Sequence, residues 1–137
     1  LYVGYEADMG GSYAGVRLDY TVRMERQVDM AGDPKLKGGS PLELLGYYES
    51  GTESHWNAYI GYGMIGEQTV DPGGAVAAKA ASYIPLGASW GTYLSPGMLL
   101  AVHYDGDYHM EQDTTTAGVK TKAHLRNQLG ARARWEF

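Results

Sequence analysis

The chain contains no cysteine. That excludes disulfides, thiolate metal sites and a cysteine nucleophile. Phenylalanine occurs only at the last position. No run of about 18 apolar residues is present, so no transmembrane helix is available. There is no basic low-complexity arm and the formal net charge is −5, which argues against a nucleic-acid partner. Glycine-rich phosphate loops, nucleotide motifs and nucleophile elbows are missing too, and no cofactor is implied. Helical periodicity is lacking. The stretch from Ala75 to Ala81 is Ala-rich, but it is short and uncapped and reads as small residues in a strand.

What is present is alternation. The 137 residues suit one domain, rich in glycine and tyrosine. Residues 1–9 set Leu1, Val3, Tyr5, Ala7 and Met9 against Tyr2, Gly4, Glu6 and Asp8. Period two means a strand with unlike faces. Gly10-Gly11 is a two-residue hairpin signal. Across it the apolar phase passes from odd to even positions, as a turn that sets residue 9 opposite 12 requires. The second strand is expected over 12–30, with one charge, Arg26, in its apolar phase. Residues 31–34 read as a loop, extended by the segment from Lys37 to Pro41. Further strands are expected over 42–50, 55–69, 75–91 and 99–112, with turns at 51–53, 71–74 and 94–97 and a polar loop over 112–118. Pro85 falls inside a strand, where it removes one ladder donor and predicts a local bulge.

The closing strand, from Val119, carries one phase without formal charge: Ala123, Leu125, Leu129, Ala131, Ala133, Trp135 and Phe137. The other holds Lys120, Lys122, His124, Arg126, Arg132, Arg134 and Glu136. An alternating strand that ends in Trp135-Glu136-Phe137 resembles the last strand of a bacterial outer-membrane β-barrel. The resemblance implies an all-β, antiparallel, up-and-down transmembrane β-barrel in the bacterial outer membrane. The implied partners are the bilayer with its outer-membrane lipids, and barrel-assembly machinery that reads the C-terminal strand. It also implies a periplasmic C-terminus. That direction brings Trp56, Trp90 and Trp135 to one interface with Tyr48 and Phe137, as an aromatic girdle. Connections on that side are short, and two of the three on the other are longer and polar.

Alternation alone does not say which face is outward. A soluble lipocalin-like barrel puts the apolar face inside, and a membrane barrel reverses it. The expected strand lengths favour the reversal, because tilted spanning strands need about 9–11 residues. Seven strands are an odd number, where closed single-chain bacterial barrels have an even one. The chain also begins at Leu1 rather than Met. The expectation is part of an eight-stranded or larger barrel whose first strand is missing or whose other strands come from another segment or chain.

On this reading the charges face the lumen, where each must be paired or wet. The expected lumen network comprises Glu6, Asp8, Arg17, Asp19, Arg23, Asp105, Asp107, Glu111, Lys120, His124, Arg126, Arg132 and Arg134. The last hairpin is expected to set Glu111 beside Lys120, Asp107 beside His124 and Asp105 beside Arg126. The function expected is a passive structural, adhesion or pore-type role. The alternatives are a lipid- or peptide-cleaving outer-membrane enzyme using the row His103, Asp105, Asp107, and a soluble lipocalin-like ligand-binding barrel. The segment Ala101-Val102-His103-Tyr104 resembles the stretch around the histidine of lipid A deacylases. The serine that family carries two residues later is Asp105 here. A metal site on His103 and His109 is disfavoured by their separation along the strand.

Overall fold

Both glycines of the first hairpin adopt positive φ, +76° at Gly10 and +98° at Gly11. A side chain penalises that conformation, so this turn needs them. Asp8 accepts the Gly10 N–H at 2.8 Å, and the Met9 N–H donates to the Ser12 carbonyl at 2.8 Å. The strands leave the turn in the expected register, Asp8 opposite Tyr13 and Tyr2 opposite Asp19.

The computed structural model describes residues 1–27, 35–51, 54–95, 97–113 and 120–135. Residues 28–34, 52–53, 96 and 114–119, with Glu136 and Phe137, lie outside the described residues. The strands in chain order are β1 (Tyr2–Asp8), β2 (Ser12–Tyr20), β3 (Arg26–Gln27), β4 (Lys35–Gly38), β5 (Pro41–Ser50), β6 (Ser54–Ile65) and β7 (Gln68–Asp71). They continue as β8 (Ala75–Ala78), β9 (Ala81–Ser95), β10 (Met98–His109), β11 (Gln112–Asp113), β12 (Lys120–Thr121) and β13 (His124–Trp135). No helix occurs among the described residues.

Seven strands form one antiparallel meander in the order β1-β2-β5-β6-β9-β10-β13. The sheet is open. Its edges, β1 and β13, run in the same direction, because six antiparallel steps separate them.

Three expectations are corrected. The long strands are interrupted on the side away from Gly10-Gly11. The strand expected over 12–30 leaves the large sheet after Tyr20, where the Arg23 N–H turns to Ser40 Oγ at 3.1 Å. The strands expected over 55–69 and 75–91 break at 66–67 and 79–80. Gly38 and Gly39, at φ +81° and +73°, make the matching break beside Glu67. Beyond these breaks lies a second sheet, β3-β4-β7-β8, and a small pair, β11-β12. Lys37 and Gly38, expected in a loop, belong to one of its strands, Lys35–Gly38, and Pro41 opens β5.

The last hairpin is shifted by two residues from the expected register. Asp107 faces Arg126, Asp105 faces Gln128 and His109 faces His124. Glu111 lies between strands, and Lys120 faces Asp113 instead. A shift of two leaves every side chain on its own face, so the hydrophobic pattern is blind to it.

Pro85 makes no bulge. Pairing of β6 with β9 stops after Ile60↔Leu86 and resumes at Gly63↔Tyr83 in unchanged register. The ladder loses pairs there without gaining a residue.

The two faces differ in burial. Among the described residues the buried hydrophobics are Leu45, Tyr83, Leu99 and Ala101, and all four belong to the phase that carries the charges. The apolar phase is exposed: Ile60 is 62% accessible, Trp90 51% and Val102 49%.

Candidate functional site

The polar phase of all seven strands lines one cavity of about 730 Å³, running from Glu6 on β1 to Arg132 on β13. The sheet therefore curves with its charges inside. Three repeated rows organise that interior. In each, a tyrosine lies over a glycine of the adjacent strand, and its hydroxyl donates to a carboxylate from the strand beyond.

Tyr47 of β5 lies over Gly15 of β2 and donates to Glu6 of β1 at 2.6 Å. Tyr59 of β6 lies over Gly87 of β9 and donates to Asp105 Oδ1 of β10 at 2.8 Å. Tyr83 of β9 lies over Gly63 of β6 and donates to Glu43 of β5. In every row the three residues are direct ladder partners. The glycines are required by space. A β-carbon at Gly15 would stand 2.6 Å from the Tyr47 hydroxyl, and β-carbons at Gly63 and Gly87 would overlap the rings of Tyr83 and Tyr59. A phenol over glycine backbone has no side chain in its way, and its hydroxyl reaches the acceptor one strand further on. Bonds to charged acceptors are the strong kind.

Around these rows the expected charges find various places. Arg17 pairs with Asp19 on its own strand, Nε to Oδ2 at 2.7 Å. Asp8 Oδ1 accepts the Gly10 N–H at the first turn. Asp107 and Arg132 line the cavity, with Arg126 across from Asp107. Arg23 lies outside the large sheet, as does Glu111. Lys120 belongs to the small outer pair. Arg134 sits near the end of β13 opposite Leu99. His124 stacks on His109, with ring centroids 4.9 Å apart, and His109 stacks in turn on Tyr83 at 5.5 Å. At the other end His55 Nε2 meets Glu49 at 2.6 Å.

The candidate catalytic row does not assemble as a relay. Asp105 is engaged by Tyr59. His103 Nε2 stands 3.8 Å from Asp105 Oδ2, beyond hydrogen-bond reach. Asp107 faces Arg126 on one side and Pro85 on the other. No three His, Asp or Glu side chains group as a metal site among the described residues.

Of the aromatic residues expected at one interface, three lie together. Trp56 and Trp90 are cross-strand partners. Tyr48 packs on Trp56 at a centroid distance of 4.9 Å. Trp135 faces Met98, at the same end as the short turns. Phe137, the remaining member, lies outside the described residues.

The outer sheet carries its own charge cluster. Lys37 Nζ lies 2.7 Å from Asp71 and 3.1 Å from Glu25, and Lys35 lies 3.4 Å from Glu25. Lys37 holds the Glu25 and Asp71 carboxyls below their ordinary values, and Asp71, with Glu25, raises the Lys37 ammonium above its own.

Sequence reasoning did not single out Tyr47, Tyr59, Tyr83 or Glu43. The available signal was tyrosine in the charged phase at a strand's middle, a phase shared by Tyr2, Tyr13 and Tyr93 near strand ends, while Tyr20, Tyr62, Tyr104 and Tyr108 occupy the apolar one. Compared with protein-family models, curated proteins and solved structures, the chain matches none of them.

Proposed function

We propose that this chain forms the membrane-spanning sheet of a bacterial outer-membrane β-barrel with a passive, structural role. One observation carries the reading: the apolar phase is outside and the charged phase lines the cavity. A contiguous exposed apolar face of this kind marks contact with lipid or another protein. The same arrangement weighs against a soluble ligand-binding barrel, which needs its apolar residues around the cavity.

Further support comes from length and from the aromatic end. Strands β5, β6, β9, β10 and β13 have 10, 12, 15, 12 and 12 residues, against the roughly 9–11 that a tilted spanning strand needs. Trp56, Trp90 and Trp135 share one end of the apolar face, where a girdle belongs. Three tyrosine–carboxylate bonds tie the wall of the cavity together, each reaching over one strand. With seven strands in the sheet, closure gives a barrel near the size that side chains fill, not the wide one an aqueous channel needs. Under this reading the partners are outer-membrane lipids and the assembly machinery that would engage the strand ending near Trp135.

The test is purification followed by reconstitution. The protein should fold only in detergent or lipid and give no conductance steps in a planar bilayer. Regular steps would replace the filled barrel with a channel. A folded, monodisperse monomer in plain buffer would overturn the membrane assignment.

A further inference from the structure

Among the described residues, four aromatic side chains of the polar face lie over glycines of a neighbouring strand, and three of them reach a carboxylate. The fourth is His103 of β10. Its ladder partner is Gly130 of β13. His103 Cε1 and Nε2 each stand 2.5 Å from where a Gly130 β-carbon would be, so a side chain here would push the ring out of its place. In each complete row the acceptor comes from the strand on the far side of the glycine. For His103 that strand would lie beyond β13, where the sheet has its free edge. The ring lacks an acceptor from within. Nε2, the nitrogen that lies over Gly130, has Asp105 Oδ2 only at 3.8 Å, and Nδ1 is buried on the other side of the ring, away from Gly130 and any acceptor placed over it, with no partner of its own.

We propose that one further strand of the same polypeptide pairs antiparallel with β13 and places an Asp or Glu opposite Gly130, as the acceptor for His103. The proposal rests on the barrel reading above. Strand direction selects the source. Edges β1 and β13 run the same way, so a direct seam between them would be parallel. A second copy inserted in the same sense offers β13 only strands of that same choice of edges, again parallel. One strand of opposite direction, joined to the chain by a hairpin, pairs antiparallel with both edges. It supplies partners for backbone N–H and C=O groups that lipid cannot satisfy. The acceptor's chemistry follows from the three complete rows, where it is Glu6, Glu43 or Asp105. A carboxylate reaching over Gly130 meets the ring tip at Nε2 and fixes the tautomer with its proton there.

The experiment uses the full-length polypeptide folded in lipid bilayers. A photo-crosslinking amino acid is placed at Leu129 or Ala131, on the face opposite Gly130, and the linked peptides are read by mass spectrometry. The expected product is an intramolecular link to a segment outside residues 1–137, with Asp or Glu in its polar phase. A link to β1, to a second copy, to another protein, or to nothing overturns the proposal. A second measurement addresses His103. His103→Ala should lower the denaturant midpoint, and His103→Tyr, which recreates the other rows, should preserve it. In the His103→Ala background, replacing the identified carboxylate by Ala should add little further loss. Fully additive losses would overturn the pairing. Failure of the barrel reading shows separately, as a chain that folds in buffer without lipid or detergent.

Discussion

Tyr59 donates to Asp105 at 2.8 Å across a strand that carries no side chain at the crossing point, because Gly87 stands between them. The row joins three strands with one hydrogen bond and one absent β-carbon. Its first consequence is positional. Gly87→Ala, Gly63→Ala and Gly15→Ala should each destabilise the folded protein by about 1–3 kcal/mol, the range for overpacking a filled site. Gly46→Ala is the control. A β-carbon there meets nothing nearer than the Ile60 carbonyl at 3.8 Å, and the change should be neutral or slightly stabilising. Denaturant midpoints in detergent would separate the two groups.

The bond itself can be tested at the acceptor. Tyr59→Phe removes the donor and leaves one Asp105 oxygen without it, at a cost of about 1–3 kcal/mol. Asp105→Asn keeps an oxygen in place to accept from Tyr59 and should cost less than Asp105→Ala. Thermal unfolding followed by the mobility shift of folded against heated protein gives the order. Equal losses for Asn and Ala would mean that the bond contributes nothing.

The outer cluster predicts a stability plateau in pH. Glu25 and Asp71 have folded pKa values below their ordinary 4.5 and 3.8. Their contribution is complete above those ordinary values and is lost as pH falls through the folded ones. Lys37 is raised above its ordinary 10.5, so its contribution is complete below that pH and is lost as pH rises through the folded value. Proteolysis of the outer sheet should therefore be slow and constant between these limits and accelerate on both sides. High salt should weaken the plateau, because all three groups are exposed. Lys37→Met should raise the neutral rate and flatten the acid limb.

The aromatic end predicts a common depth. Variants that retain only Trp56, Trp90 or Trp135, reconstituted with brominated lipids, should all be quenched best by bromine near the headgroups. Preferential quenching of any one by bromine at the chain ends would remove it from the girdle.

Much of this architecture can be read from the chain because period-two alternation is local. Each strand's two phases, and the register across Gly10-Gly11, need only neighbouring residues. The outer interruptions are different. The Arg23 N–H leaves the ladder for Ser40 Oγ, and Gly39 meets Glu67, residues far away in sequence. The last hairpin's register was hidden for another reason: setting Asp107 against Arg126 or against His124 leaves the same side chains on the same face. The cavity rows needed register most of all. Tyr59, Gly87 and Asp105 carry no shared motif, and they become one unit only when three strands are aligned.

The central claim is that the apolar phase meets lipid and the charged phase does not. Spin labels at Leu44, Ile60 and Val102, compared with labels at Asn57 and Ser89, test it in reconstituted bilayers. The first three should be accessible to oxygen and shielded from a water-soluble nickel complex, while Asn57 and Ser89 should show low oxygen access. Nickel access at Leu44, Ile60 and Val102 equal to that of a surface loop would contradict the account.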